Sequence, residues 1–267
     1  WVSTDPYVEG GDTSTLLENG QLHVAVFADD STGKWVALTP EATGMTAAEI
    51  AVHTRLAGSK VGATTMDRPE WVAVNPVAAE AYCALTNNVN RGVKPNAGGD
   101  LTPVGGPNPR EKNGFGQIVR WYPAGQDHAS ADFTWDLFVM AGNPTVHQDA
   151  FGGSANVNAG NMFNSPDGMS FDSTGLLWIQ TDGDDSNEGD FAGQGNNQML
   201  IGDPVSGQIE RFLTGPNGSE ITGLLWSADR KTAFVGVQHP GGSWPDGTGL
   251  PRSAGIAAWR TDGALIG

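Results

Sequence analysis

Cysteine, basic residues and long apolar runs are all scarce in this 267-residue chain, and each scarcity excludes something. The single cysteine, Cys83, rules out an intrachain disulfide, so the redox compartment cannot be read from bridges. Its place between Tyr82 and Ala84-Leu85 predicts a buried small hydrophobe rather than a nucleophile. Only 14 Lys and Arg stand against 30 Asp and Glu, a formal net charge of -16, which argues against nucleic acid or an anionic membrane as partner. Such acidity also suits calcium binding, although acidic surfaces keep many proteins soluble without any ion. No uncharged apolar run approaches the length of a membrane span. The chain opens Trp1-Val2-Ser3 with neither methionine nor signal peptide, and so reads as if cut from something longer. Absent too are G-x-S-x-G, G-x-x-x-x-G-K-[ST], H-E-x-x-H and C-x-x-C, so serine or cysteine nucleophilic catalysis is not expected.

What the chain does hold is Gly 38, Pro 16 and Trp 9, the composition of short strands between tight turns with large apolar anchors. The stretch from Met66 to Asn88 sets the pattern: Arg68 and Glu70, the alternation Trp71-Val72-Ala73-Val74, a turn at Asn75-Pro76, and the apolar run Tyr82 to Leu85. A second copy runs from Ser165-Pro166-Asp167-Gly168 through Met169–Phe171, a turn at Asp172 to Gly175, Leu176 to Gln180, and Thr181-Asp182-Gly183. A third places Glu220 before Ile221 to Trp226, then Thr232 to Gln238 and His239-Pro240-Gly241. In order along the chain, Leu22 to Phe27 and Lys34 to Leu38 read as a hairpin. Thr46 to Leu56 is the one helix the pattern supports, with Thr46 and Glu49 as a capping box. Asn88 to Gly116 and Asn143 to Asn164 are long Gly/Asn-rich loops, the first expected to cover one end of the fold.

The strands group in fours. Trp71–Val74, Tyr82–Leu85, Gln117–Tyr122 and Phe133–Met140 form one set; Met169–Phe171, Leu176–Gln180, Met199–Gly202 and Gln208–Leu213 form the next. A third set, Ile221–Trp226, Thr232–Gln238 and Gly255–Trp259, lacks a fourth strand, and the amino-terminal hairpin resembles the outer half of a preceding blade. The expectation is an all-β protein, a β-propeller present as a partial ring of about three to four blades, with residues 1–267 forming one such domain or the carboxy-terminal portion of one.

In a propeller the residue entering an innermost strand points at the channel mouth, so Glu70, Asp167 and Glu220 are expected to converge. Gathered carboxylates repel unless protonated or bridged by cations, and hard oxygen donors favour calcium, magnesium or ferric iron. The plainer alternative is that each acid caps a turn locally. Arg68, two residues before Glu70, is suited to holding phosphate oxygens bidentately; the alternative is an exposed partner for Asp67. His239 is a candidate ligand or proton donor. Asp182 heads the acidic run Asp182 to Asp190, a candidate calcium ligand although the run lacks EF-hand spacing.

At these residues the sequence resembles the PhoX-type bacterial alkaline phosphatases. The resemblance rests on D-R-P-E-W-V-A-V-N-P (67–76), Y-C-A-L-T-N-N (82–88), N-P-R-E-K-N-G-F-G-Q-I-V-R-W (108–121), N-S-P-D-G-M-S-F-D (164–172), L-W-I-Q-T-D-G (177–183), G-N-N-Q-M-L (195–200), and E-I-T-G-L with V-Q-H-P-G near the end. It implies a periplasmic or secreted phosphomonoesterase on a six-bladed propeller that uses iron and calcium. Arg68 would match a catalytic and substrate-phosphate contact, and Glu70, Asp167 and Glu220 would match metal ligands; read from the residues, His239 is added as a substrate-binding candidate and Asp182 as a metal-ligand candidate. It also implies that the chain corresponds to the carboxy-terminal part of the family sequence, with the missing amino-terminal part or a second copy as partner. From the residues alone, a non-catalytic propeller that recognises a ligand or protein stays open as the alternative.

Overall fold

The structure, a computed structural model, describes residues 1–239 and the backbone of strands 256–260 and 265–266. The strands in chain order are β1 (Val2–Ser3), β2 (Gly20–Gln21), β3 (His23–Phe27), β4 (Thr32–Ala37), β5 (Pro69–Val74), β6 (Ala81–Leu85), β7 (Gln117–Pro123) and β8 (Asp132–Met140). They continue as β9 (Pro166–Phe171), β10 (Leu177–Thr181), β11 (Gln198–Gly202), β12 (Ile209–Thr214), β13 (Glu220–Trp226), β14 (Thr232–Gln238), β15 (Ile256–Arg260) and β16 (Leu265–Ile266). Apart from the small β1-β2 pair, they make three antiparallel sheets: β3-β4-β8-β7-β6-β5, β12-β11-β10-β9 and β13-β14-β15-β16. The two four-strand sets of the sequence reading are therefore present.

Two expectations about the sheets need correction. The amino-terminal hairpin is not half of a preceding blade, because β4 pairs with β8 through Thr32–Lys34 and Asp132–Thr134 and widens the first sheet to six strands. The reason is aromatic: Phe27, Trp35, Trp121, Phe133 and Trp135 interlock edge-on across that junction, with Phe27 and Phe133 centroids 5.1 Å apart. The third sheet does have a fourth strand, β16, whose two residues are too short to announce themselves by alternation. Gly255, Pro240 and Gly241, assigned to the third repeat from sequence, lie outside the described residues.

The sheets pack in chain order, β5 and β6 against β9, and β9 and β10 against β13. Between the first two, Tyr82, Phe138 and Phe171 stack edge to face, with Ile118, Ile179 and Leu200 fully buried beside them. Trp178, Ile221, Val235 and Trp226 fill the second junction. Cys83 is buried on β6, where desolvation pushes its thiol up to about 12, so it is a packing residue and no nucleophile near neutral pH. By contrast β5 exposes Trp71, Val72 and Val74 at 48, 58 and 53%. Among the described residues β5 pairs on one side only, with β6.

The helix expected from Thr46 to Leu56 is divided. Thr46 and Glu49 form the capping box, the Glu49 carboxylate accepting from the Thr46 backbone N–H at 2.7 Å, and α2 spans Ala47–Val52. At His53 the backbone leaves helical geometry (φ -115, ψ 44), and a second helix, α3, runs over Thr54–Lys60; α1, Pro40–Thr43, precedes both. Ile50 and Ala57 turn inward onto Leu38, Met45 and Val24, which seats the helices on the hairpin.

The Asn88–Gly116 loop is tied down by a buried ion pair. Arg91, itself in the loop, donates through Nε to Asp67 at 2.6 Å, and the two side chains are 1% and 0% exposed. Asn113 and Gln117 donate to the other Asp67 oxygen at 2.9 and 3.3 Å, while Arg91 reaches Thr65 and the Pro103 carbonyl with its remaining N–H groups. Both lone-pair sets and the guanidinium fork are satisfied, the condition for burying charge without a large penalty.

Candidate functional site

Each repeat enters its first strand through the same local device. Arg68 and Ser165 have φ of 51° and Gly218 has φ of 75°, and each stands two residues before an acid: Glu70, Asp167 and Glu220. A left-handed residue there turns the chain sharply as it enters the strand. For Arg68 and Ser165 that conformation is uncommon and carries strain. Hydrogen bonds hold it in place: Thr86 donates its backbone N–H to the Arg68 carbonyl, and Asp182 donates to that of Ser165, both at 3.1 Å. Pairing is irregular next to the first two acids, with register shifts between Pro69 and Val72 and between Ile179 and Thr181. Such shifts re-aim side chains at strand ends.

The outcome is a carboxylate cluster. Asp167, Asp182 and Glu220 each offer an oxygen within 4.8 Å of the others, and all three are half-buried. Among the described residues the carboxylates of Asp167 and Asp182 accept no hydrogen bond, whereas Glu220 accepts one from Gln238 at 2.9 Å. Burial first, then the neighbouring Glu70 and Asp182, push the Asp167 carboxyl up to about 6, with Arg68 opposing. Glu220 is raised for the same reasons, burial first and then Asp182 and Asp167, with His239 opposing. An all-oxygen, half-buried set of acids with unused lone pairs fits a hard cation by donor chemistry.

Around the cluster stand the other residues singled out from sequence. Glu70 lies outside the tight triplet yet close enough to act on Asp167 and Glu220 electrostatically. Arg68 reaches Glu70 at 3.7 Å and donates to Asn87 at 3.1 Å, its side chain 53% exposed. It is therefore not a partner of Asp67, which is fully buried against Arg91. His239 is exposed and takes a hydrogen bond on Nε2 from Gln238 at 2.9 Å, the same amide nitrogen that bonds Glu220. The rest of the Asp182–Asp190 run stands outside the cluster: Asp184, Asp185 and Glu188 are not part of it, and Asp190 reaches His147 at 3.3 Å.

Sequence reading overlooked the amides that frame these acids. Asn87 accepts from Arg68 and donates to the Ser165 hydroxyl at 3.0 Å, joining the entry turns of the first and second sheets. Asn164 accepts from the Asp184 N–H at 3.0 Å and packs so closely on residue 183 that a Cβ there would lie 1.7 Å from its oxygen, which explains Gly183. Asn196 and Asn197 span the second and third sheets. The available signal was the Asn-Asn pair, at 87–88 beyond β6 and at 196–197 just before β11.

The family described as alkaline phosphatase PhoX matches residues 1–241. Among solved structures, PhoX from Pseudomonas fluorescens in complex with vanadate, a transition state analogue, superposes with a TM-score of 0.89 at 49% identity over 99% of this chain and 49% of that one. The chain thus spans about half the length of that relative. A gluconolactonase from Xanthomonas campestris overlaps 76% of each chain at 15% identity with a TM-score of 0.30, too distant to bear on the argument. No match is found among curated proteins. Match and superposition cover nearly all of the described chain, its acids and its entry turns included, and the chain belongs to the PhoX alkaline phosphatase family.

Proposed function

We propose that this chain supplies much of the active site of a metal-dependent phosphomonoester hydrolase. The observation that carries the reading is the convergence of Asp167, Asp182 and Glu220 within 4.8 Å, with Arg68 beside them. It is supported by the relative whose complex holds vanadate, a mimic of phosphoryl transfer. Asp167, Asp182, Glu220 and Glu70 would hold calcium and iron, which when bound supply positive charge to polarise phosphoryl oxygens and hold an oxygen nucleophile.

Arg68 binds and orients the phosphate. Its guanidinium is exposed on one side, and Asn87 and Glu70 fix it on the other, so two N–H groups are free to fork onto phosphate oxygens. As charge builds on the equatorial oxygens, the same group opposes it. His239, exposed and joined through Gln238 to Glu220, stands beside the acids as a contact for the ester or leaving-group side. The scheme calls for no protein nucleophile, in keeping with the buried, un-ionised Cys83.

The three sheets packed in sequence are read as blades of a propeller whose channel mouth carries the acids, and the family's location, periplasmic or secreted, is adopted with it. No helix among the described residues is long and apolar enough to cross a membrane. The exposed Trp71, Val72 and Val74 on β5 fit a surface covered by the other half of the longer relative, so full turnover is expected of the completed ring.

The test is hydrolysis of p-nitrophenyl phosphate by the complete protein, with elemental analysis of the purified material. Arg68→Ala should lower kcat/KM by about 10²–10³-fold and weaken inhibition by phosphate. Arg68→Lys should recover only part, because a point charge cannot fork. Unchanged kinetics in Arg68→Ala, or full turnover in protein free of metal, would overturn the reading.

A further inference from the structure

We infer that Asn197 is the positioning residue that sets the spacing of Asp182 and Glu220, clasping the second sheet to the third beneath the acids. The inference rests on the metal-site reading above. Asn197 sits immediately before β11, 7% exposed, and its amide uses both ends. The oxygen accepts from the Thr181 hydroxyl at 2.9 Å and from the Gly183 N–H at 2.7 Å, the two residues flanking Asp182. The nitrogen donates to the Gly183 carbonyl at 3.2 Å and to the Ser219 carbonyl at 3.1 Å, and Ser219 directly precedes Glu220.

Four hydrogen bonds from one side chain therefore grip the chain on both sides of one acid and next to another. Thr181 and Ser219 are each 1% exposed, so water is a poor substitute for the amide at either end. Asn196 reinforces the third-sheet side, donating to the Pro216 and Ser219 carbonyls and accepting from the Gly218 N–H, which holds the left-handed turn ahead of Glu220. The backbone carbonyl of Asn197 takes the Gly215 N–H at 2.7 Å, which holds the main chain from which the amide projects against the end of β12.

The need for such a clasp follows from the electrostatics. Asp167, Asp182 and Glu220 repel one another where the second and third sheets meet. A rigid amide between the acids' own backbones resists the spreading that repulsion favours in the metal-free state. Groups that orient ligands from behind are worth about 10–100-fold in metal affinity.

The experiment is calorimetric titration of the metal-stripped chain with calcium, paired with its thermal unfolding in the absence of metal. Asn197→Ala should weaken calcium binding by about 10–100-fold. Asn161→Ala is the control: Asn161 is 3% exposed and makes comparable bonds to the Asn156 and Ile209 carbonyls, away from the acids. It should lower the unfolding temperature similarly and leave calcium affinity unchanged. Asn197→Asp, nearly isosteric, keeps the acceptor bonds, loses the donors to the Gly183 and Ser219 carbonyls and adds negative charge. Charge alone would tighten calcium binding, whereas loss of the clasp loosens it, so this variant answers even where Asn197→Ala fails to fold. Weaker binding in Asn197→Asp supports the clasp. Wild-type affinity in both Asn197 variants, tighter binding in Asn197→Asp, or an equal loss in Asn161→Ala overturns the clasp alone. Failure of the wild-type chain to bind calcium overturns the metal reading and the clasp with it.

Discussion

Two groups of carboxylates, one behind Arg68 and one in front of it, obey opposite rules. Asp67 is fully buried, and the chain answers it completely: Arg91 at 2.6 Å, Asn113 at 2.9 Å, Gln117 at 3.3 Å. Asp167, Asp182 and Glu220 are only half-buried, yet they face one another within 4.8 Å with almost no protein donors. Burial alone would mark Asp67 as the perturbed, functional acid. Satisfaction marks the other three. A charge that the fold neutralises itself holds structure together; a set that the fold crowds and leaves unanswered has lone pairs to spare, which is what the proposed metal site would use.

The largest effect should come from breaking the satisfied group. Arg91→Met leaves Asp67 buried without its counter-charge, and about 3–5 kcal/mol of stability should be lost, read from urea unfolding. Adding Asp67→Asn to that variant should restore a good part of it, since the remaining amides can still bond. A loss below about 1 kcal/mol would mean that the pair is merely tolerated.

The unanswered group predicts the reverse sign. Asp167 holds its proton more tightly folded, where its carboxyl is pushed up to about 6, than unfolded, where it is near 3.8. The folded state therefore binds more protons across that window. The metal-free chain should lose stability from this group as pH rises from about 4 to 6, not gain it. Asp167→Asn should remove that slope and stabilise the metal-free chain at pH 7 by roughly 1–2 kcal/mol, after allowance for the half-exposed setting. Calcium, which the wild type would bind more tightly than a variant short of one carboxylate, should reverse that difference at saturation. Thermal unfolding against pH, with and without calcium, is the measurement; a variant less stable than wild type without metal would sink the comparison.

The contrast also shows what could be read in advance. The strand sets around Trp71–Val74 and Met169–Phe171 were legible because alternation and turn residues are local. So were Glu70, Asp167 and Glu220 as matched strand-entry acids. What decided the site's final arrangement was not local. Asp182 joins the triplet because Asp167 and the end of β10 are neighbours across a bulge, while Glu70, matched by sequence, sits slightly apart. Asp67 looked like an available partner for Arg68 one residue away, but the left-handed turn at 68 sends consecutive side chains to opposite environments. Arg91 lies 24 residues beyond Asp67 in a loop with no periodic signal. The amino-terminal hairpin's docking on β8 is a matter of aromatic packing across roughly a hundred residues, which no pattern within either segment reveals.

The smallest effect tests whether the satisfied pair owes its strength to chemistry or to place. Arg55 and Asp100 are also an arginine and an aspartate, and they too join the long loop to the body, from α3 at 3.5 Å. Here the side chains are 62% and 26% exposed, and water competes for both charges. The Asp100 carboxyl is held below its ordinary range by Asn96 first and Ser59 next, with Arg55 contributing least. Asn96 donates to it at 3.0 Å and also takes the Asp100 N–H, so the turn is fixed without the guanidinium. Arg55→Ala should therefore cost at most about 1 kcal/mol, part of that from lost packing over Gly98, and the electrostatic share of the loss should shrink when salt is raised. If it instead approached the cost of Arg91→Met, the depth of burial would not be what separates the two pairs.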